Sequence, residues 1–279
     1  MAALPVLAVC PTWAQAAEPW QARFAQLETT LGGRLGVFAL DTATGRQLAY
    51  RAQERFAFCS TFKLLLASAI LKRSEQDRDL LQQRLRYSQS EVVNYSPVSE
   101  KHVGDGMTVA DLCAAALQYS DNTAANVLIK HVGGLAAVND FAHGNGAPSF
   151  RLDRWETALN SAIPGDLRDT VAPQDMARAL RHLAVGDGLA RAQRVQLCEW
   201  LKGNTTGATR IRAGVPAGWG VGDKTGSGDY GSANDLAVIW PPGRAPLVLA
   251  VYTTRHDKQG EYRSDVIAAA AAIVVQWLG

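Results

Sequence analysis

The sequence predicts an α/β protein: an antiparallel sheet built from both chain termini and flanked by helices, with an all-α subdomain inserted between its halves. Three observations carry this. Strand-like apolar runs occupy the opening and the final third of the chain, while the middle has helical periodicity. The last three strand-like runs are joined by short Gly/Asp/Pro turns, which favour antiparallel neighbours. No internal repeat, low-complexity tract or Pro/Ser-rich linker divides the chain. The α/β part is assigned to 17–58 and 203–279 and the helical part to 59–202, together one domain. The cleft between two such lobes is the default place for a site.

Taken in order, Arg34–Asp41 (RLGVFALD) is an apolar strand, Thr42-Ala43-Thr44-Gly45 offers a turn, and Arg46–Ala52 returns as a second strand. From Ser60 the pattern turns helical, and TFKLLLASAILKRSEQ carries a continuous apolar stripe without Gly or Pro. Thr108–Leu117 opens with Thr108 and Asp111 at capping-box spacing, with Asp in place of Glu or Gln. Asn122–His131 is amphipathic and stops at Gly133-Gly134. Residues 174–185 and 189–202 read as two further helices. Strands return at Gly218–Ser227, Ala233–Trp240 and Pro246–Thr254, and Ser264–Leu278 is a closing Ala-rich helix.

Composition excludes several classes. The chain has 279 residues, 47% apolar and 19% charged, with a net charge of +2. That is too apolar for a disordered protein, and long enough to bury roughly three quarters of its extended surface without a disulfide or metal staple. A near-neutral balance with no basic run offers nothing to nucleic acid. No body segment is apolar for long enough to span a membrane. The opening apolar residues followed by Ala14-Gln15-Ala16 resemble the core and cleavage site of a secretory signal, so residues 1–16 are set aside and a periplasmic or secreted protein is expected. Cys10, Cys59, Cys113 and Cys198 show no C-x-x-C spacing, and the 5 histidines form no close ligand pair. No metal and no cofactor is expected.

Three short motifs could carry chemistry. Ser60-Thr61-Phe62-Lys63 opens the first long helix, and positions three apart share a helix face, so the hydroxyl and the amine can meet. The helix N-terminus adds free N–H groups and a positive field where an oxyanion could form. An amine in a desolvated cleft can take the proton that makes a serine nucleophilic. Alone, S-x-x-K occurs roughly once in any chain of this length. Ser120-Asp121-Asn122 alone is an ordinary turn and N-cap, and Lys224-Thr225-Gly226 an ordinary strand end. Their order along a strand–helix–strand chain is what raises them above coincidence.

That ordered trio resembles the signature of class A serine β-lactamases and penicillin-binding proteins. Arg151–Asp169 (RLDRWETALNSAIPGDLRD) closely resembles the omega loop of the class A enzymes, and CSTFK, YSPVSEKHV, QYSDNTAAN, GNTTGATRIRAG and VGDKTGSGDYGSAND are similar to further segments. The matches run from about Gly33 to Thr254. The resemblance implies a three-layer β-lactamase/transpeptidase-like fold, a β-lactam substrate and a monomer.

It also implies roles. Ser60 would be the nucleophile. Lys63 and Glu156 are both candidate acylation bases, and the choice stays open. Glu156 would activate the deacylating water, with Asn160 helping to hold it, and Arg154 and Asp169 would clamp the loop ends. Ser120 would relay a proton to the leaving nitrogen. Asn122 would bind the substrate's acylamino group. Lys224, Thr225, Gly226 and Ser227 would line the cleft edge, Lys224 and Arg210 serving the substrate carboxylate. The N–H groups of Ser60 and Ser227 would form the oxyanion hole, and Tyr95 would stand at the mouth.

Some positions depart from family patterns. Cys59 faces Gly228 where some carbapenemases pair two cysteines, and Cys113 faces Ala67 where narrow-spectrum penicillinases do. Thr157 follows the catalytic Glu where many members have Pro. KTGSGDYG resembles enzymes that hydrolyse oxyimino-cephalosporins. The competing readings are a D-Ala-D-Ala transpeptidase or carboxypeptidase and a non-hydrolysing β-lactam sensor. The first typically lacks the Glu156–Asn160 pair, and the second normally adjoins a transmembrane segment.

Overall fold

A computed structural model describes residues 19–279. The signal-like residues 1–16 and Cys10 lie outside them. The centre is a five-stranded sheet of β1 (Gly33–Asp41), β2 (Gln47–Tyr50), β3 (Gly220–Gly228), β4 (Ser232–Trp240) and β5 (Leu247–Arg255). Their order is β2–β1–β5–β4–β3, with every neighbour antiparallel. The N-terminal strand therefore pairs with the last one, Gly33 opposite Arg255 and Asp41 opposite Leu247. β3 is left as an edge.

Period-two alternation splits the strands between two apolar cores. Val37, Ala39, Leu249 and Val251 face one side, where α1 (Pro19–Leu31) and, at the chain end, Ser264–Leu278 cover them. Phe38, Val248, Ala250 and Tyr252 face the other. That side is covered by α2 (Lys63–Ser74), α3 (Val109–Gln118), α4 (Asn122–His131), α5 (Leu135–Gly144), α6 (Pro173–Leu180) and α7 (Arg191–Lys202). The closing Ser264–Leu278 helix is α8. Sheet between two helical layers gives the expected three-layer α/β architecture.

Boundaries moved where turn chemistry intervened. The second strand ends at Tyr50 because Arg51 is left-handed (φ 45°), and it begins after a turn closed by Asp41, whose carboxylate accepts the Ala43 N–H and the Thr44 hydroxyl. β3 begins at Gly220, after a turn through Gly218 at φ 88°. The helix expected over 174–185 is α-helical to Leu180 and then widens into a π turn, Arg181–Val185. The Asp at the third position of α3 caps only one way. Thr108 Oγ1 accepts the Asp111 N–H (3.1 Å), while the shorter carboxylate takes the Thr108 hydroxyl proton (2.6 Å).

Two helices were not anticipated, although Trp20, Phe24, Leu27 and Leu31 of α1 and Leu135, Val138 and Ala142 of α5 form legible apolar stripes. A two-residue ladder, Phe56–Ala57 with Thr170–Val171, was equally unforeseen, and it ties the segment before Ser60 to the end of the 151–169 loop.

Candidate active site

Ser60 sits in a tight 3-10 turn, Cys59–Phe62, that runs straight into α2. The turn is strained: Cys59 is left-handed at φ 48° although it carries a side chain. Long-range bonds over-determine it. Asn234 of β4 donates to the Ala57 and Phe58 carbonyls (2.8 and 3.1 Å), and the Thr61 hydroxyl donates to Phe58 O (2.8 Å) while meeting Tyr252 Oη at 2.9 Å. β3 presses against this turn so closely that a Cβ on Gly226 would lie 2.7 Å from Phe58 O and 3.1 Å from Ser60 N. Only glycine permits that approach. Burial and the Glu156 charge push the Cys59 thiol up, so it stays protonated and does not compete with its neighbour as a nucleophile.

Lys63, one turn on, is fully buried. Its Nζ reaches Ser60 Oγ (2.9 Å), Ser120 O (2.8 Å), Asn122 Oδ1 (2.6 Å) and Glu156 Oε1 (2.9 Å). Burial lowers its pKa, and the Glu156 charge opposes that shift without cancelling it. Ser60 Oγ also donates to Glu156 Oε1 at 3.1 Å. Both candidate bases therefore stand within hydrogen-bond reach of the nucleophile.

Glu156 is held through its backbone and its side chain. Asn126 of α4 donates to Glu156 O (2.8 Å) and accepts its N–H (3.0 Å), while Asn160 Nδ2 donates to Oε2 at 2.6 Å. Asn160 Oδ1 is buried with no protein partner, a polar group free to hold a small molecule beside the carboxylate. The loop carrying Glu156 is closed by Asp169, fully buried, whose Oδ1 accepts the Asp153 and Arg154 N–H groups (2.8 and 3.0 Å) and whose Oδ2 accepts from Arg154 Nε (2.5 Å). Arg154→Ala leaves that buried carboxylate without its cation, a loss of about 1–3 kcal/mol. Hydrogen exchange across 152–169 should accelerate, and turnover should fall more than the melting temperature. Unchanged exchange there would show that the clamp does not order the loop.

Ser120 is left-handed (φ 59°), and Asp121 caps α4. The fully buried Asp121 carboxylate accepts from Ala124 N and Ser99 Oγ on one oxygen and from Val98 N and Ser99 N on the other, fastening the 95–99 loop over the cleft. Asn122 N donates to Tyr95 O (3.1 Å), which places Tyr95, 56% exposed, at the mouth. On the opposite wall Lys224 is fully buried and its Nζ donates to Ser120 Oγ (3.0 Å) and Thr225 O (2.8 Å). Burial, aided by the Lys63 charge, holds its pKa well below the lysine range. Arg210 donates to the Gly226 and Asn234 carbonyls (2.8 and 2.7 Å) and to Ser227 Oγ (2.6 Å).

The cleft between these walls has a volume of about 610 Å³. Ser60, Tyr95, Ser120, Asn122, Asn160, Arg210, Thr225, Gly226 and Ser227 line it, and Lys63, Glu156 and Lys224 lie just beneath, bonded to the lining hydroxyls or to Asn160. All twelve residues singled out from the sequence thus converge. Asn126 and Asn234 were missed, and Asp121 and Thr61 were read only as members of their motifs; no local pattern marks the distant partners of any of the four. The Cys59 Sγ would be 2.8 Å from a Cβ at position 228, but Gly228 has none, so no disulfide closes this edge. Among the described residues Cys59, Cys113 and Cys198 are all free.

A buried serine flanked by an amine and a carboxylate, facing a cleft with a cationic wall, defines an acyl-transferring serine hydrolase. Comparison with known proteins is more specific. The profile of the Beta-lactamase enzyme family matches residues 19–278. Beta-lactamase CTX-M-97 of Escherichia coli is 55% identical over 274 residues, 98% of this chain and 94% of that one. The carbapenem-hydrolyzing beta-lactamase KPC of Klebsiella oxytoca is 55% identical over 257 residues, 92% of this chain and 88% of that one. The solved structure of an ancestral class A β-lactamase superposes with a TM-score of 0.89 at 55% identity, covering 92% of this chain and 99% of that one. The chain belongs to the β-lactamase enzyme family, in class A. It is a hydrolase acting on β-lactams, the chemistry behind antibiotic resistance. Among the described residues no helix is long and apolar enough to cross a membrane.

Proposed function

We propose that the chain hydrolyses penicillins and cephalosporins, oxyimino-cephalosporins among them, through an acyl-enzyme on Ser60. Ser60 Oγ attacks the β-lactam carbonyl as its proton passes to Lys63 or Glu156. The oxyanion sits between the N–H groups of Ser60 and Ser227. The ring C–N bond breaks, and Ser120, bridged to Lys224, passes a proton to the departing nitrogen. Glu156 then takes a proton from a water held with Asn160, the hydroxide attacks the ester, and Ser60 recovers its proton. Asn122 receives the acylamino group. Lys224, Thr225, Ser227 and Arg210 form the carboxylate end, Gly226 brings that strand close, and Tyr95 guards the mouth. The site is complete without a partner subunit, and it is the family resemblance that supports a monomer. The apolar opening residues and their small-x-small site support an exported, periplasmic or secreted enzyme.

The observation that carries the hydrolytic reading is Glu156: one carboxylate touches Ser60, Lys63 and Asn160 at 3.1, 2.9 and 2.6 Å. A transpeptidase or carboxypeptidase typically lacks the Glu156–Asn160 pair, and a sensor that stays acylated has no need of it. Mixing the protein with a large excess of benzylpenicillin, while following β-lactam absorbance and intact mass, separates the cases. Complete loss of substrate with the mass returning to its starting value is expected. A persistent adduct on Ser60 with most substrate intact would assign the chain to the other two.

A further inference from the structure

Three hydroxyls stand at the carboxylate end of the cleft, and their hydrogen bonds do not run the same way. Ser120 Oγ accepts from Lys224 Nζ and Ser227 Oγ accepts from Arg210 Nη2, so both keep a proton free for the cleft. In each case a buried cation polarises the oxygen that donates.

Thr225 differs. Its Oγ1 lies 2.5 Å from the hydroxyl of Thr206, a residue that also lines the cleft. The direction of that contact follows from Asn204. Asn204 Nδ2 donates to Asp223 Oδ2 (2.5 Å), and its Oδ1 accepts the Thr206 backbone N–H (3.1 Å), so the amide fits one way round only. Its environment is rigid: Arg212 Nε donates to the other Asp223 oxygen (2.6 Å), and the chain turns so tightly here that a Cβ on Gly207 would lie 1.9 Å from Asp223 Oδ2. Asn204 Oδ1 also meets the Thr206 hydroxyl at 2.8 Å. An amide oxygen only accepts, so Thr206 donates its single proton there. The Thr225 proton must then point at Thr206. In this arrangement Thr225 turns a lone pair towards the cleft, the wrong face for a carboxylate.

We propose that Thr206 is a positioning residue whose hydroxyl reverses when an anionic substrate enters, freeing the Thr225 proton for the substrate carboxylate. Thr206 turns its proton from Asn204 Oδ1 to Thr225 Oγ1, and Thr225 turns its own to the substrate. No covalent bond forms or breaks, and nothing buried is orphaned, because Asn204 Oδ1 keeps the Thr206 N–H. After the reversal Thr225, like Ser120 and Ser227, accepts from behind and donates forward, an alignment in which successive hydrogen bonds strengthen one another. The inference rests on the reading of Thr225 as a carboxylate ligand, and it makes the anionic form of the substrate the one this wall selects.

The test compares Thr206→Val, which keeps the shape and deletes the hydroxyl, with Thr206→Ser, which keeps the hydroxyl, on benzylpenicillin and on its methyl ester. Deleting the hydroxyl frees the Thr225 proton in the resting chain, so the Val variant should lower KM for the acid roughly five- to tenfold, the worth of the one hydrogen bond from Thr206 to Asn204 Oδ1 that the unmodified chain gives up on binding. Its kcat should stay within about twofold, since the contact is made in ground and transition states alike. Thr206→Ser should behave as the unmodified chain, and the ester should be handled equally by all three proteins. The Val effect should also vanish in a Thr225→Val background. An equal KM shift for acid and ester, a Ser variant shifted as far as the Val variant, or a Val variant with unaltered or raised KM would each overturn the relay. Those results leave benzylpenicillin turnover by the unmodified chain intact; failure of that turnover would instead bring down the functional reading on which the relay rests.

Discussion

Glu156→Gln should open one equivalent of benzylpenicillin and then stall, with an acyl adduct on Ser60 visible by intact mass. Gln keeps the backbone bonds to Asn126 and can still bond through its side chain, so the loop stays in place. What it lacks is a carboxylate able to take a proton from water, and deacylation should slow by about 10²–10⁴. The same variant decides the acylation base. Without the Glu156 charge the shift that burial imposes on Lys63 loses its largest opposing influence, and its pKa falls further. Lower pKa means more neutral amine at a given pH, and only the neutral amine accepts a proton. Acylation that persists, and rises with pH through the depressed range of Lys63, identifies Lys63 as the base. Acylation that is slow at every pH identifies Glu156. Steady turnover at the unmodified rate would remove Glu156 from the mechanism altogether.

Lys63→Met should cost more than activity. The Lys63 and Glu156 side chains are both fully shielded from solvent, 2.9 Å apart. Removing the cation leaves an uncompensated carboxylate in a desolvated pocket, a loss of about 3–5 kcal/mol. Removing both charges, as in Lys63→Met with Glu156→Gln, should recover most of that stability while remaining inactive, because the pair is costly to break and cheap to replace. Chemical denaturation of the two variants reads this directly. A Lys63→Met protein as stable as the unmodified chain would mean that the pocket admits water, and the desolvation argument for Lys63 as a base would fall with it.

Most of the architecture is legible because its causes are local. Period-two runs in β1, β4 and β5 and the 3.6-residue stripes of α2 and α4 follow from which side of each element must be apolar. Ser60 and Lys63 meet because three residues separate them across one helical turn. The details that escape a reading of the chain are those that depend on a distant partner. Asn126 gives no hint that it will grip the backbone of Glu156, 30 residues away, and Asn234 none that it will pin the turn before Ser60, over 170 residues away. The π turn after Leu180 has no cause we can name from its residues.

The chain alone carries the α/β class, the order of most elements, the family resemblance and a set of candidate reacting groups, since periodicity, turn chemistry and motif spacing are properties of neighbours along the chain. The tertiary structure decided what those groups can do. It buried Lys63 and Lys224 deeply enough to depress their basicity, set Glu156 between Ser60 and Asn160, and brought the Thr225 and Thr206 hydroxyls within 2.5 Å of each other. Desolvation and hydrogen-bond direction depend on everything that surrounds an atom, and in a folded chain most of what surrounds an atom comes from far away in sequence.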